Sequence, residues 1–238
     1  MGLSEFDPAA RERVSRNDGR KVGAKRALIP RQIWAIRFFL DQHGRIRDRA
    51  LFDLAIDSKL RGCDLVKIRI SDIVCDRKIR TRATVVRQKT GRPAQFELMT
   101  DARASLFKWL ERRGGSLEDF AFPSRTDHAA HISTRQYARL VDEWVTDIGL
   151  PGEDYSTHSL RRTKASIIYK ATGNLRAVQI LLGHTKIEST VRYLGVDVED
   201  ALTLAKGTET ALGPCRCKDP RLTAWRLLCA HSSLSTAI

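Results

Sequence analysis

Between Pro30 and Leu194 apolar residues recur at intervals of three and four along most of the chain, and the period gives way once, between Ile70 and Met99, to short runs separated by polar turns. A chain written this way folds as helices around one small patch of sheet. Pro30 opens a first helix to about Gln42, with Ile33, Trp34, Phe38 and Leu40 on its apolar side and His43-Gly44 as its stop. A second helix, from about Asp48 to Ser58, buries Leu51, Leu54 and Ala55, and a short third covers Cys63 to Ile68. Ile70 to Val74, Ala83 to Gln88 and Ala94 to Met99 read as three antiparallel strands. Lys89-Thr90-Gly91-Arg92-Pro93 is the tight connection between the last two, which puts Lys89 at a hairpin tip.

Helical period returns after Asp101, a candidate N-cap, with Leu106, Trp109 and Leu110 on one face and Gly114-Gly115 as the stop. Ser133 is placed to cap the next helix, whose Tyr137, Leu140, Val141 and Trp144 precede Gly149 and Pro151. Thr157 begins another, and Leu175 to Leu182 forms a short helix ended by Gly183. Thr185-Lys186-Ile187-Glu188 has the form of a capping box opening a last helix that carries Tyr193. The expected class is α+β, mainly α, with a small three-stranded antiparallel sheet. Residues 1–29 read as a basic flexible arm, 30–210 as one folded domain and 211–238 as a tail of uncertain order.

Lys plus Arg number 42 against 28 Asp plus Glu, a formal charge of +14, which favours a polyanionic partner and nucleic acid first. Charge alone fits any soluble basic protein equally well, so the motifs must decide. No apolar run approaches the roughly 20 residues of a spanning helix, and the polar start lacks a secretory core, so a cytoplasmic protein without a membrane partner is expected. The five cysteines are odd in number and scattered, which fits reduced thiols. Cys215, Cys217, Cys229 and His231 can be drawn as a zinc site, yet Cys-x-Cys is tighter than the usual knuckle, and neither metal nor cofactor is assigned.

The segment HSLRRTKASIIYKATGNLRAVQILLGHTKIESTVRYL combines a His-x-x-Arg pair, an apolar helix, a Leu-Gly-His turn and a tyrosine nine residues past that histidine. These residues, His158, Arg161, His184 and Tyr193, resemble the C-terminal half of the tyrosine recombinases, the family of phage integrases and chromosome-dimer resolving recombinases. Upstream, KLRGCDLVKIRISDI is similar to the family's first arginine box and QKTGRP to its hairpin lysine, which implicates Arg61 and Lys89. The resemblance covers roughly residues 30 to 205 in family order. It implies that 30–210 is a tyrosine recombinase catalytic domain, acting on double-stranded DNA without a cofactor through a 3′-phosphotyrosine made by Tyr193.

These residue types suit phosphoryl transfer. Attack on a phosphodiester builds negative charge that the guanidinium forks of Arg61 and Arg161 can stabilise bidentately. A tyrosine needs help losing its proton, and His158, one turn from Arg161, is the expected base. Lys89 is the expected general acid for the departing 5′-oxygen, and His184 the expected donor to a phosphate oxygen. Asp64 and Thr163 fall in the matched boxes as candidates to orient the arginines, with capping or solvation as the plain alternative. Arg162, Lys164 and Lys186 are candidate phosphate contacts or solvated side chains. In isolation each of these residues has an ordinary reading as a surface ion pair, a turn or core packing; their joint occurrence in family order favours the site.

The family's usual N-terminal helical domain clamps the opposite face of DNA, and about thirty residues cannot fold one. A basic arm, an accessory protein or a second protomer is then expected to replace the clamp, with a homo-oligomer assembled on DNA. Lys59 stands where the first arginine box often has glycine, and Cys63 where a small polar residue is common. ALTLAKGTE, after Tyr193, resembles the short helix that family members lend to a neighbour, and its Ala201, Leu202, Leu204 and Ala205 fit packing within the same chain equally well. Two alternatives share the fold: a catalytically idle DNA-binding remnant or accessory protein of a mobile element, and a nicking-closing enzyme of the type IB topoisomerase kind.

Overall fold

The computed structural model describes residues 25–194. Its helices are α1 (Pro30–Gln42), α2 (Ile46–Ser58), α3 (Gly62–Leu65), α4 (Ile70–Ile73), α5 (Thr100–Arg113), α6 (Thr134–Asp147), α7 (Thr157–Thr172), α8 (Leu175–Leu182) and α9 (Ile187–Leu194). Its strands are β1 (Val74–Cys75), β2 (Lys78–Ile79), β3 (Arg82–Val86) and β4 (Pro93–Glu97). Among the described residues no helix is long and apolar enough to cross a membrane.

Helix α2 is the axis of the fold. Every residue from Ala50 to Ser58 is buried, and α1, α5 and α7 pack around it. A helix apolar all round belongs in an interior, and the polar residues α2 carries inward must be paired there. Asp53 is fully buried and accepts from Arg37 Nε at 2.7 Å, Arg49 Nε at 2.8 Å and Ser105 Oγ at 2.8 Å, which ties α1, α2 and α5 together. Asp57 does the same one turn on. Its Oδ1 accepts from Lys164 Nζ at 2.6 Å and its Oδ2 from the Met99 amide at 2.8 Å.

The mainly helical α+β class stands, and the sheet is smaller than expected. Among the described residues there are two separate two-stranded antiparallel sheets, β1–β2 and β3–β4, in place of one three-stranded sheet. The expected first strand is mostly α4, because Ile70 and Ile73 are both buried at helical spacing and the Asp72 carboxylate caps the turn from the Arg69 amide at 2.8 Å. The β3–β4 hairpin forms as read. Ala83 pairs with Phe96 and Val85 with Ala94, and Ala83, Ala94 and Phe96 are buried.

Two further expectations are corrected. Trp34 and Phe38 are 63% and 64% exposed, because Ile33, Ile36 and Leu40 keep the helical interval and take the inner face of α1. Residues 25–29, assigned to the arm, are held against the domain: the Arg26 amide donates to Asp154 O at 2.9 Å, and the amide of buried Leu28 donates to Thr163 Oγ1 at 3.0 Å. The rest of the arm, the segment ALTLAKGTE and the Cys215, Cys217, Cys229 and His231 cluster lie outside the described residues.

The apolar interior falls into two clusters. The large one runs from Leu28 to Leu160, and the small one is Ala165, Val178 and Leu182 with Ile168, Tyr169, Tyr193 and Leu194 packed against it.

Candidate active site

The C-terminal end of α2 places Arg61. The chain leaves α2 through Lys59 in a left-handed conformation (φ 54°), turns, and enters α3 with Arg61 as its N-cap residue. That φ costs a residue with a Cβ roughly 1 kcal/mol and would be relieved by glycine. Arg61 Nη1 is buried and has no acceptor among the described residues.

Ser156 caps α7, accepting from the His158 amide at 3.2 Å, and sets His158 and Arg161 one turn apart. Arg161 is 4% exposed and its Nη2 donates to Leu182 O at 2.8 Å, at the end of α8. Gly183 then turns the chain with φ 66°, and His184 follows, its Nδ1 3.1 Å from Thr190 Oγ1. Helix α9 brings Tyr193 back over this turn. Its ring lies edge-on to His184 with centroids 5.3 Å apart, and its hydroxyl donates to the His158 carbonyl at 3.4 Å. The Arg161 and Arg162 guanidiniums stand 5.9 Å and 5.4 Å from the Tyr193 ring centre. A cavity of about 350 Å³ opens beside the ring, lined in part by His158, Arg162 and Ser189.

The electrostatics follow from crowding cations with few carboxylates. Burial pushes the Tyr193 hydroxyl up to about 12, against the opposing pull of Arg161 and Arg162. Desolvation, then the charges of Arg161 and Arg61, lower His158 from 6.5. Desolvation and Arg161, Arg61 and Arg87 take His184 down to about 4. Both imidazoles are therefore neutral at pH 7. When the Thr190 hydroxyl donates to Nδ1, the neutral His184 ring carries its proton on Nε2 and can donate it outward.

Arg61, His158, Arg161, His184 and Tyr193 are thus brought into one electrostatic neighbourhood. Lys89 is exposed on the connection after β3, whose base is fixed where the Gln88 amide donates to Asp64 Oδ1 at 2.9 Å. Asp64 holds that hairpin, in addition to lying within the field of Arg161. The weaker candidates divide. Thr163 orients no arginine, since its hydroxyl donates to Ser159 O at 2.7 Å and accepts from Leu28. Lys164 is spent on Asp57. Arg162 is 8% exposed, donates to the Lys25 carbonyl and lies by the Tyr193 ring. Lys186 is exposed in the turn before α9.

One residue near the site was missed. Arg87 is 7% exposed, and its charge reaches both Arg161 and His184. The signal was present: Ala83, Val85 and Arg87 alternate onto one face of β3 and its extension, so the strand period directs this arginine inward.

Residues 28–200 match the phage integrase family. Tyrosine recombinase XerC of Chromobacterium violaceum is 32% identical over 155 residues, covering 64% of this chain and 49% of that protein. The chain spans about half the length of the curated relatives it matches. Among solved structures, the XerA recombinase superimposes with a TM-score of 0.64 at 17% identity, covering 77% of this chain and 65% of that one. XerH site-specific recombinase bound to its difH substrate in a pre-cleavage complex gives 0.61 at 18% identity, covering 77% and 54%. With the family matched across most of its length and the same fold found in these recombinases, the chain belongs to the phage integrase family and its described residues form a tyrosine recombinase catalytic domain.

Proposed function

We propose that this protein is a site-specific recombinase that cuts and rejoins double-stranded DNA through a phosphotyrosine at Tyr193. The observation that carries the reading is the buried Arg61 Nη1, which has no acceptor among the described residues, in the same field as Arg161, whose guanidinium stands beside the Tyr193 ring. Buried like charges repel, and a buried guanidinium N–H without an acceptor is costly, so the arrangement is completed by an anion such as a DNA phosphate.

In the forward step the Tyr193 oxygen bonds to phosphorus, the bond from phosphorus to the 5′-oxygen breaks, and a 3′-phosphotyrosine remains. The tyrosine proton passes to neutral His158, and Lys89 supplies a proton to the departing 5′-oxygen. Arg61 and Arg161 hold the non-bridging oxygens with His184 as a further donor, where charge grows in the transition state. Attack by a 5′-hydroxyl of another strand reverses each transfer. The bond energy is retained in the ester, so exchange needs no nucleotide, and it needs protomers that hold two duplexes in register.

The test is a nicked suicide duplex drawn from the flanks of the gene. A covalent protein–DNA adduct, lost in Tyr193→Phe, is the expected result. Binding without any adduct would favour an idle DNA-binding protein, and relaxation of supercoiled DNA without strand exchange a nicking-closing enzyme.

A further inference from the structure

We propose that Arg87 is a positioning residue that locks the Lys89 hairpin onto the turn carrying His184; the inference rests on the recombinase reading above. Its main chain closes the connection between β3 and β4. The Arg87 amide donates to Arg92 O at 3.0 Å, and the Arg87 carbonyl accepts from the Gly91 amide at 2.8 Å and from Thr90 at 3.4 Å. Its side chain leaves the hairpin altogether and reaches the end of α8, where Nη2 lies 3.5 Å from Leu181 O.

Gly183 receives that guanidinium. A Cβ on Gly183 would stand 1.5 Å from Arg87 Nη1 and 2.3 Å from Cζ, so the glycine answers two demands at once, its left-handed φ and the seat of the arginine. The terminal carbonyls of a helix are its negative end, which suits a cation there. Arg161 donates to Leu182 O, so adjacent carbonyls of one turn are held by arginines from two elements. Beside Arg87, Gln88 is pinned to Asp64. Lys89 is exposed and unpinned, yet it is tethered two residues from one anchor and one residue from the other.

A general acid works only when it stays within reach of the leaving oxygen, and a tether this short restricts where a flexible lysine can go. Without the Arg87 side chain the connection after β3 loses its bond to the end of α8 and is held by the Gln88 contact and by the packing of Ala83, Ala94 and Phe96 further down the hairpin. Lys89 then spends less time in place, while Arg61, Arg161 and Tyr193 keep theirs.

The experiment compares cleavage of two suicide duplexes, one ordinary and one with sulfur replacing the bridging 5′-oxygen, a leaving group that departs without a proton. On the ordinary duplex Arg87→Met is expected to slow cleavage by about 10- to 100-fold, and on the sulfur duplex to come within about threefold of the unaltered protein, as Lys89→Ala also should. Arg87→Lys keeps the charge and loses the fork, and is expected to fall between. A merely structural role would slow both duplexes alike, and equal losses or no loss would overturn the proposal. Amide hydrogen exchange at Gln88, read without DNA, should quicken in Arg87→Met, and unchanged exchange would also overturn it. Failure of the unaltered protein to form an adduct on either duplex would instead sink the recombinase reading, with the exchange measurement still deciding the lock.

Discussion

The Tyr193 hydroxyl donates to the main-chain carbonyl of His158 at 3.4 Å, so one residue supplies both the resting partner of the nucleophile and the imidazole expected to deprotonate it. In the proposed reaction the hydroxyl contributes its oxygen and little to phosphate affinity. Tyr193→Phe should therefore abolish the adduct on a suicide duplex and leave the gel-shift affinity within about twofold. A persistent adduct would show that another group attacks.

The acid limb of cleavage should lie below the usual histidine range. His158 must be neutral to accept a proton, and desolvation with Arg161 and Arg61 lowers it from 6.5, so the neutral form persists as pH falls through that value. The midpoint of the acid limb in single-turnover cleavage at sub-saturating protein should fall below pH 6.5. A limb centred above pH 6.5 would contradict the assignment.

Arg161→Ala should reduce cleavage by about 100- to 1000-fold and affinity far less, since the charge it meets grows in the transition state. Because Arg161 also holds Leu182 O, Arg161→Lys should recover only part of the activity, a lysine lacking the planar fork. Equal losses of binding and cleavage would mark a plain phosphate contact.

Lys59 is buried with a left-handed backbone, and desolvation together with Lys164 lowers its side chain to about 8. Between pH 8 and 10.5 the unfolded chain binds the proton that the folded chain has lost, so this residue makes stability rise with pH over that window. Lys59→Gly should flatten the rise and add about 1 kcal/mol at neutral pH by relieving the backbone. Urea unfolding at several pH values measures both. A slope unchanged by the substitution would show that the lysine is not the titrating group.

The excess of 14 positive charges predicts a steep salt dependence of DNA binding. Affinity should fall by about 100-fold or more between roughly 50 and 200 mM salt, and cleavage should rise cooperatively with protein on a two-site duplex. Gel shift and adduct formation on one-site and two-site DNA give the comparison. Tight, salt-insensitive binding to one site would speak against an assembly of protomers.

Elements with local signals were legible in the sequence. Ser133 caps α6 as read, accepting from Gln136 at 3.0 Å, and Gly183 ends α8. His158, Arg161, His184 and Tyr193 lie on one continuous stretch of chain, in α7, the turn after α8, and α9, so the short turns between those helices bring them together. The four-residue stretch of α4 misled because Ile-x-x-Ile fits a helical turn and its flanks fit a strand. The partners of Lys164 and Arg162, Asp57 and Lys25, were not legible, because they lie 107 and 137 residues away, beyond any local pattern. Arg87 was legible in the alternation of β3 and was absorbed into the turn beside it.

Tyr193, the proposed nucleophile, packs against the smaller of the two apolar clusters, while Arg61 follows Leu60 of the large one. Clusters of unequal size give way at unequal cost, and the eight-residue α9 rests on only three buried apolar side chains. Opening the small cluster costs less than opening the large one, so the seat of Tyr193 and the endurance of the whole fold rest on different side chains.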